Sequence, residues 1–124
     1  MRVLILEEDS RIRDLLAHIA TDDGHEVVVC SDSQAALELV DSEEPDALII
    51  SPNISRNSGL ELLYEITSHP DLRNMPSILV VDRPLIYTDH QSTLVELGVV
   101  AVISRSDLSK QTLLHAIDHV SVGR

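Results

Sequence analysis

Hydrophobic positions in this chain fall in short unbroken runs separated by amphipathic stretches. The runs are Arg2 to Leu6 (RVLIL), Glu26 to Cys30 (EVVVC), Ala47 to Ile50 (ALII), residues 77 to 81 (SILVV) and Val99 to Ile103 (VVAVI). Runs this short, bounded by polar residues, glycine or proline, fit strands of a parallel sheet covered on both faces by helices. Pro52 ends the third run just after Ser51. Between the runs the apolar period lengthens. Ile12, Leu15, Leu16 and Ile19 recur at i, i+3, i+4 and i+7, which predicts a helix facing the sheet, with Ser10 as its N-cap and Gly24 as its stop. Ser33 or Asp32 caps a second helix with Ala36, Leu37 and Val40 on its apolar side, and Pro45 closes that connection. Leu60, Leu62, Leu63 and Ile66 mark a third helix after the turn-rich segment PNISRNSG, and His69-Pro70 stops it. Thr88 to Leu97 reads as a fourth helix stopped by Gly98. Ser106 or Asp107 caps a fifth, with Leu108, Leu113, Leu114, Ile117 and Val120 on one side.

Five βα units in unbroken succession predict one doubly wound α/β domain over residues 1–124, with about 121–124 as a tail or the start of a linker. In such a sheet, ligands and chemistry gather beyond the carboxyl ends of the strands. The residues expected there are Glu7 and Glu8 after strand one, Ser51 after strand three, Val81 and Asp82 at strand four, and Ser104 and Arg105 after strand five.

Composition narrows the function. The 124 residues suit a single core, and an aromatic content of 2% makes that core aliphatic. The formal charge is −12, from 21 acidic against 9 basic residues, which argues against direct binding of nucleic acid. No run is long enough to span a bilayer and no signal peptide is visible, so no membrane partner is expected. Cys30 is the one cysteine, so an internal disulfide is ruled out and a reduced, cytoplasmic setting is the simplest expectation. No GxGxxG follows the first strand, which weighs against a nucleotide or flavin site. His115 and His119 have the i, i+4 spacing of metal ligands, but no Cys or third His joins them locally, and they read as solvent-exposed helix residues, like the scattered His18, His25, His69 and His90.

VLILEEDSRIRDLL at the start, PDALII before the loop, Gly59-Leu60 after it, Met75-Pro76 before strand four and Leu97-Gly98 before strand five together resemble the receiver domain of bacterial two-component response regulators, which is CheY-like and flavodoxin-like, a (βα)5 fold. The resemblance spans essentially the whole chain. It implies a pocket with two acids after strand one, a phosphoaccepting Asp after strand three, a Ser or Thr after strand four and a Lys after strand five, with magnesium held by the acids and the acceptor. Carried over position by position, the acids fall on Glu7 and Glu8, the acceptor on Ser51, the hydroxyl on Val81, the Lys on Arg105 and the switch aromatic on Val102.

These departures have chemical consequences. A serine needs a general base where a carboxylate attacks unaided. Losing the Asp removes an anionic ligand for magnesium. Val81 donates no hydrogen bond, and a guanidinium does not replace a compact ammonium. The expectation is therefore an atypical receiver, a pseudo-receiver, that is not an enzyme and has no required cofactor. Any magnesium would bind weakly through Glu7 and Glu8. Asp82 is a lesser candidate as metal ligand or stand-in acid, and Asp46 belongs to the opposite end of the sheet. Arg105 is expected to pair with Glu7 or Glu8 in place of metal and phosphate. The resemblance implies a signalling protein or output domain as partner, or a homodimer, through the face of the fourth helix, fifth strand and fifth helix. Leu85, Ile86 and Tyr87 are candidate contacts nearby. The alternative is a receiver phosphorylated at a non-standard residue such as Ser51.

Overall fold

The computed structural model describes residues 1–51, 63–65, 68, 75–82 and 91–122. Five strands, β1 (Arg2–Leu6), β2 (Glu26–Cys30), β3 (Ala47–Ile50), β4 (Ser77–Val81) and β5 (Val99–Ser104), form one sheet in the order β2-β1-β3-β4-β5. Every pairing is parallel. This is the flavodoxin-like arrangement, and the four runs at β1 to β4 match the predicted strands. β5 continues one residue further, through Ser104.

Alternation along the strands sorts side chains onto two faces. Val3, Ile5, Ala47, Ile49, Ile78 and Val80 pack on one face under α1 (Ser10–Asp22) and α5 (Lys110–Val122). Leu4, Leu6, Leu48, Ile50, Leu79 and Val81 pack on the other, under α2 (Ser33–Glu43), the helical residues 63–65 (α3) and α4 (Gln91–Glu96). All four residues of β3 are buried, because strands on both sides and helices on both faces enclose it. Truncating Ile49 there to Ala would cost about 2–5 kcal/mol.

Helix ends differ from the sequence reading in instructive ways. Asp9, not Ser10, caps α1: its carboxylate accepts the Arg11 backbone N–H at 2.9 Å, and that bond holds its carboxyl below the usual value. Asp32 caps α2 through the Ala35 N–H at 2.8 Å. α5 starts later than expected, because Arg105–Asp107 form a 3-10 turn first. Ser109 then exchanges hydrogen bonds with Thr112, its Oγ accepting from the Thr112 N–H at 3.2 Å and its own N–H donating to Thr112 Oγ1 at 2.9 Å. This reciprocal pair is a capping box built with Thr, so neither Ser106 nor Asp107 is the cap. α5 also runs through Val122, which places 121 and 122 in the helix rather than in a tail.

Two apolar assignments shift as well. Leu15 is exposed, and Ala20 joins Leu16 and Ile19 in the core instead. Leu63 is buried as expected. The turn-rich segment 52–58, Gly59, Leu60, Leu62, Ile66, His69-Pro70, residues 85–90 and 123–124 lie outside the described residues.

Candidate functional site

The last hydrogen bonds of the ladder set the site. The Glu7 N–H donates to Cys30 O at 3.1 Å and the Ser51 N–H to Leu6 O at 2.9 Å, so both residues stand at the carboxyl edge of the sheet. Both continue the alternation of their strands toward the face covered by α1 and α5. Glu7 is 1% exposed, although a buried carboxylate carries a large desolvation cost unless it is paired.

Its partner is Arg105. One terminal nitrogen of the guanidinium lies 3.0 Å from Oε1 and 3.0 Å from Oε2, with the Arg105 side chain 28% exposed. The Asp9 N–H donates to Oε1 as well, at 3.0 Å. The expected pairing of Arg105 therefore falls on Glu7, while Glu8 is exposed to solvent. Asp82 Oδ1 sits 3.5 Å from Arg105 Nε, an ion-pair contact rather than a hydrogen bond, since that buried nitrogen has no hydrogen-bond partner among the described residues. The result is a charge cluster joining the ends of β1, β4 and β5.

Arg13 is a participant that the sequence reading missed. Its guanidinium donates to the Glu7 carbonyl at 2.9 Å, bracing the β1–α1 turn from the first turn of α1. The signal for it was a cation one turn beyond two acids, on a helix that has to fold back over the strand end.

Ser51 is 5% exposed, and its Oγ has no hydrogen-bond partner among the described residues. A serine without a base on its hydroxyl is a poor nucleophile. Val81 is buried on the opposite face of the sheet, and Val102 packs against that same cluster. Asp46 accepts the Arg2 N–H at 2.8 Å at the amino end of the sheet, the opposite end from Glu7, Glu8 and Asp82.

The resemblance implies magnesium at this edge, and two of the donors it would use, Glu7 and Ser51, fit it poorly here. Magnesium takes near-octahedral oxygen ligands at about 2.0–2.1 Å. Both Glu7 oxygens already face a guanidinium, and Ser51 supplies a neutral oxygen. Among the described residues no three His, Cys, Asp or Glu side chains form a metal-binding group, and no helix is long and apolar enough to cross a membrane.

Comparison with known proteins agrees with this topology. The family model of the response regulator receiver domain matches residues 3–118. Response regulator MprA of Mycobacterium leprae is 30% identical over 83 residues, 67% of this chain and 36% of that protein. Transcriptional regulatory protein PdtaR of Mycobacterium tuberculosis is 37% identical over 68 residues, 54% of this chain and 33% of that protein. The chain thus spans about a third of the curated relatives it matches. Among solved structures, chemotaxis response regulator CheY4 of Vibrio cholerae superposes with a TM-score of 0.81 at 20% identity, covering 96% of this chain and 97% of that one. A sensor protein from Polaromonas sp. JS666 gives 0.84 at 18% identity, covering 98% and 96%.

Proposed function

Because this chain belongs to the response regulator receiver family, a family of signalling modules, we propose that it acts in signal transduction as a phosphorylation-independent protein–protein interaction domain. The observation that carries this reading is the Glu7–Arg105 pair, with one guanidinium nitrogen 3.0 Å from each carboxylate oxygen. That pair occupies one of the two carboxylates on which metal binding would depend. It also neutralises the buried charge of Glu7. On this reading Glu7, Glu8, Ser51, Val81 and Arg105 make up a degenerate phosphorylation pocket.

Three further features support it. Ser51 offers a buried hydroxyl whose oxygen has no hydrogen-bond partner among the described residues. Val81 has no hydroxyl to hold a phosphoryl oxygen. Val102, at the other switch position, packs into the aliphatic core and has no ring to move. The conformation is then set by the sequence, and output follows from partner binding. The surface we assign to the partner is that of α4, β5 and α5. Val95 on α4 is 71% exposed and Val100 on β5 is 41% exposed, which suits contact with a signalling protein, an output domain or a second copy. The acidic charge of the chain argues that nucleic acid is not that partner.

The test is the intact mass after incubation with a small-molecule phosphodonor and magnesium, with Ser51→Ala as control. The reading expects no added phosphoryl group in either protein. An adduct that disappears in Ser51→Ala would overturn it in favour of phosphorylation at Ser51. An adduct that survives would overturn it in favour of another acceptor.

A further inference from the structure

We propose that His115 and His119 form a chelating site for a late first-row divalent metal ion, with Ni2+ or Zn2+ as its chemical class of ligand, on the outer surface of α5. The site lies on a different element from the Glu7–Arg105 cluster and does not depend on how that cluster works.

Both imidazoles are exposed and stand one helical turn apart. Their ring centroids are 5.2 Å apart, with the planes tilted by 36°. A metal bound to a ring nitrogen at about 2.0–2.1 Å lies about 3.2 Å from that ring's centroid, and two such rings at a tetrahedral angle have centroids about 5.2 Å apart. The ring centroids therefore stand at the separation of two imidazoles on one tetrahedral ion, and side-chain rotation on the exposed face can turn their nitrogens toward it. Histidines at i and i+4 on one helix face are a known arrangement for binding zinc. The residue after the first histidine here is Ala116 rather than Glu, so the general base of that motif is missing, and the inference concerns binding alone.

The scaffold is rigid where the site needs it. Leu113, Ala116, Ile117 and Val120 are buried and fix α5 on the sheet, so the histidines are carried on a seated helix. Exposed Asp118 and the net charge of −12 favour a cation at this surface. Imidazole suits nickel and zinc and is a poor ligand for magnesium, which separates this site by chemistry from any magnesium effect elsewhere. With two protein ligands, water fills the remaining positions.

The test is a Ni2+ titration of the 124-residue chain, read by thermal unfolding and by paramagnetic broadening of the histidine ring resonances. A chelate that exists only on the folded helix raises Tm in a saturable way. The expected result is one ion per chain, with broadening confined to His115 and His119, no response to magnesium at the same concentration, and affinity at least about tenfold weaker in His115→Ala and in His119→Ala. Alanine favours helix, so these exposed substitutions keep α5 intact, which circular dichroism checks. An unchanged nickel response in the double variant would overturn the proposal. So would broadening centred on the other four histidines, or no saturable response at all.

Discussion

A single terminal nitrogen of Arg105 lies 3.0 Å from both carboxylate oxygens of Glu7, a residue 98 positions earlier in the chain. Glu7 is almost fully buried and Arg105 is partly exposed, so removing the arginine strands a buried charge. Arg105→Ala is expected to destabilise the fold by about 3 kcal/mol in urea unfolding. Adding Glu7→Gln to that variant should restore part of the loss, because the stranded charge goes with it. A double-mutant cycle measures the coupling. Strictly additive losses would mean that the pair contributes little to tying the carboxyl ends of β1 and β5 together across β3 and β4.

Ser51 provides the matching test from the other side of the cluster. Its buried hydroxyl has no hydrogen-bond partner among the described residues, so Ser51→Ala should leave stability unchanged or raise it by about 1 kcal/mol. Ser51→Asp places a second carboxylate at the end of β3, next to the end of β1 that carries Glu7. Without metal the two anions repel, and the variant should unfold at lower temperature than the parent. Magnesium should then raise its Tm while leaving the parent's unchanged. A magnesium response in the parent as large as that of Ser51→Asp would show that Arg105 does not displace the metal, and no response in either would show that Arg105 keeps Glu7 even beside a second carboxylate.

How far the sequence reveals this depends on whether a signal is local. The strands of β1 to β4 could be read to the residue, because four- and five-residue aliphatic runs between turn formers have few other readings. Caps were less legible. Asp9 and Ser10 are both good N-caps, and the choice fell to Asp9 where the chain leaves β1. The 3-10 turn at Arg105–Asp107 delays α5 until Ser109, and no period in the sequence marks such a turn. Leu15 sits at the margin of its apolar stripe and ends outside, while Ala20 fits close to the sheet. The Glu7–Arg105 pair is a contact across the fold. It was legible only because strand order in a doubly wound sheet brings the ends of β1 and β5 to one edge.

The two described glycines with positive φ separate backbone freedom from space. Gly24 has φ +91° and nothing within 4 Å of where a Cβ would stand, whereas Gly98 has φ +87° and would place a Cβ 2.6 Å from the Met75 carbonyl oxygen. Gly24→Ala should therefore cost about 1 kcal/mol from the left-handed backbone alone. Gly98→Ala should cost clearly more, since the Met75 backbone, which leads into β4, would have to shift. Urea unfolding of the two variants measures the difference. Equal losses would mean that the β4 entry yields easily.

Cys30 closes β2 with its thiol donating weakly to Ile5 O at 3.5 Å. Burial, with help from the Asp32 carboxylate and against the pull of Arg13, pushes its pKa from 9.0 up to about 11. Two consequences follow. The thiolate is the reactive form, so alkylation of the native protein near neutral pH should run about a hundredfold slower than in denaturant. The second consequence concerns stability. Above pH 9 the unfolded chain releases the thiol proton while the native chain still holds it. The unfolded state then binds fewer protons, and stability falls as pH rises toward 11. Cys30→Ala pays a fixed packing loss but has no thiol to titrate. The advantage of the parent over Cys30→Ala should therefore be constant below pH 9 and shrink between pH 9 and 11, as read by urea unfolding across that range. A difference that stays flat through pH 11 would place the thiol in contact with water in the native state.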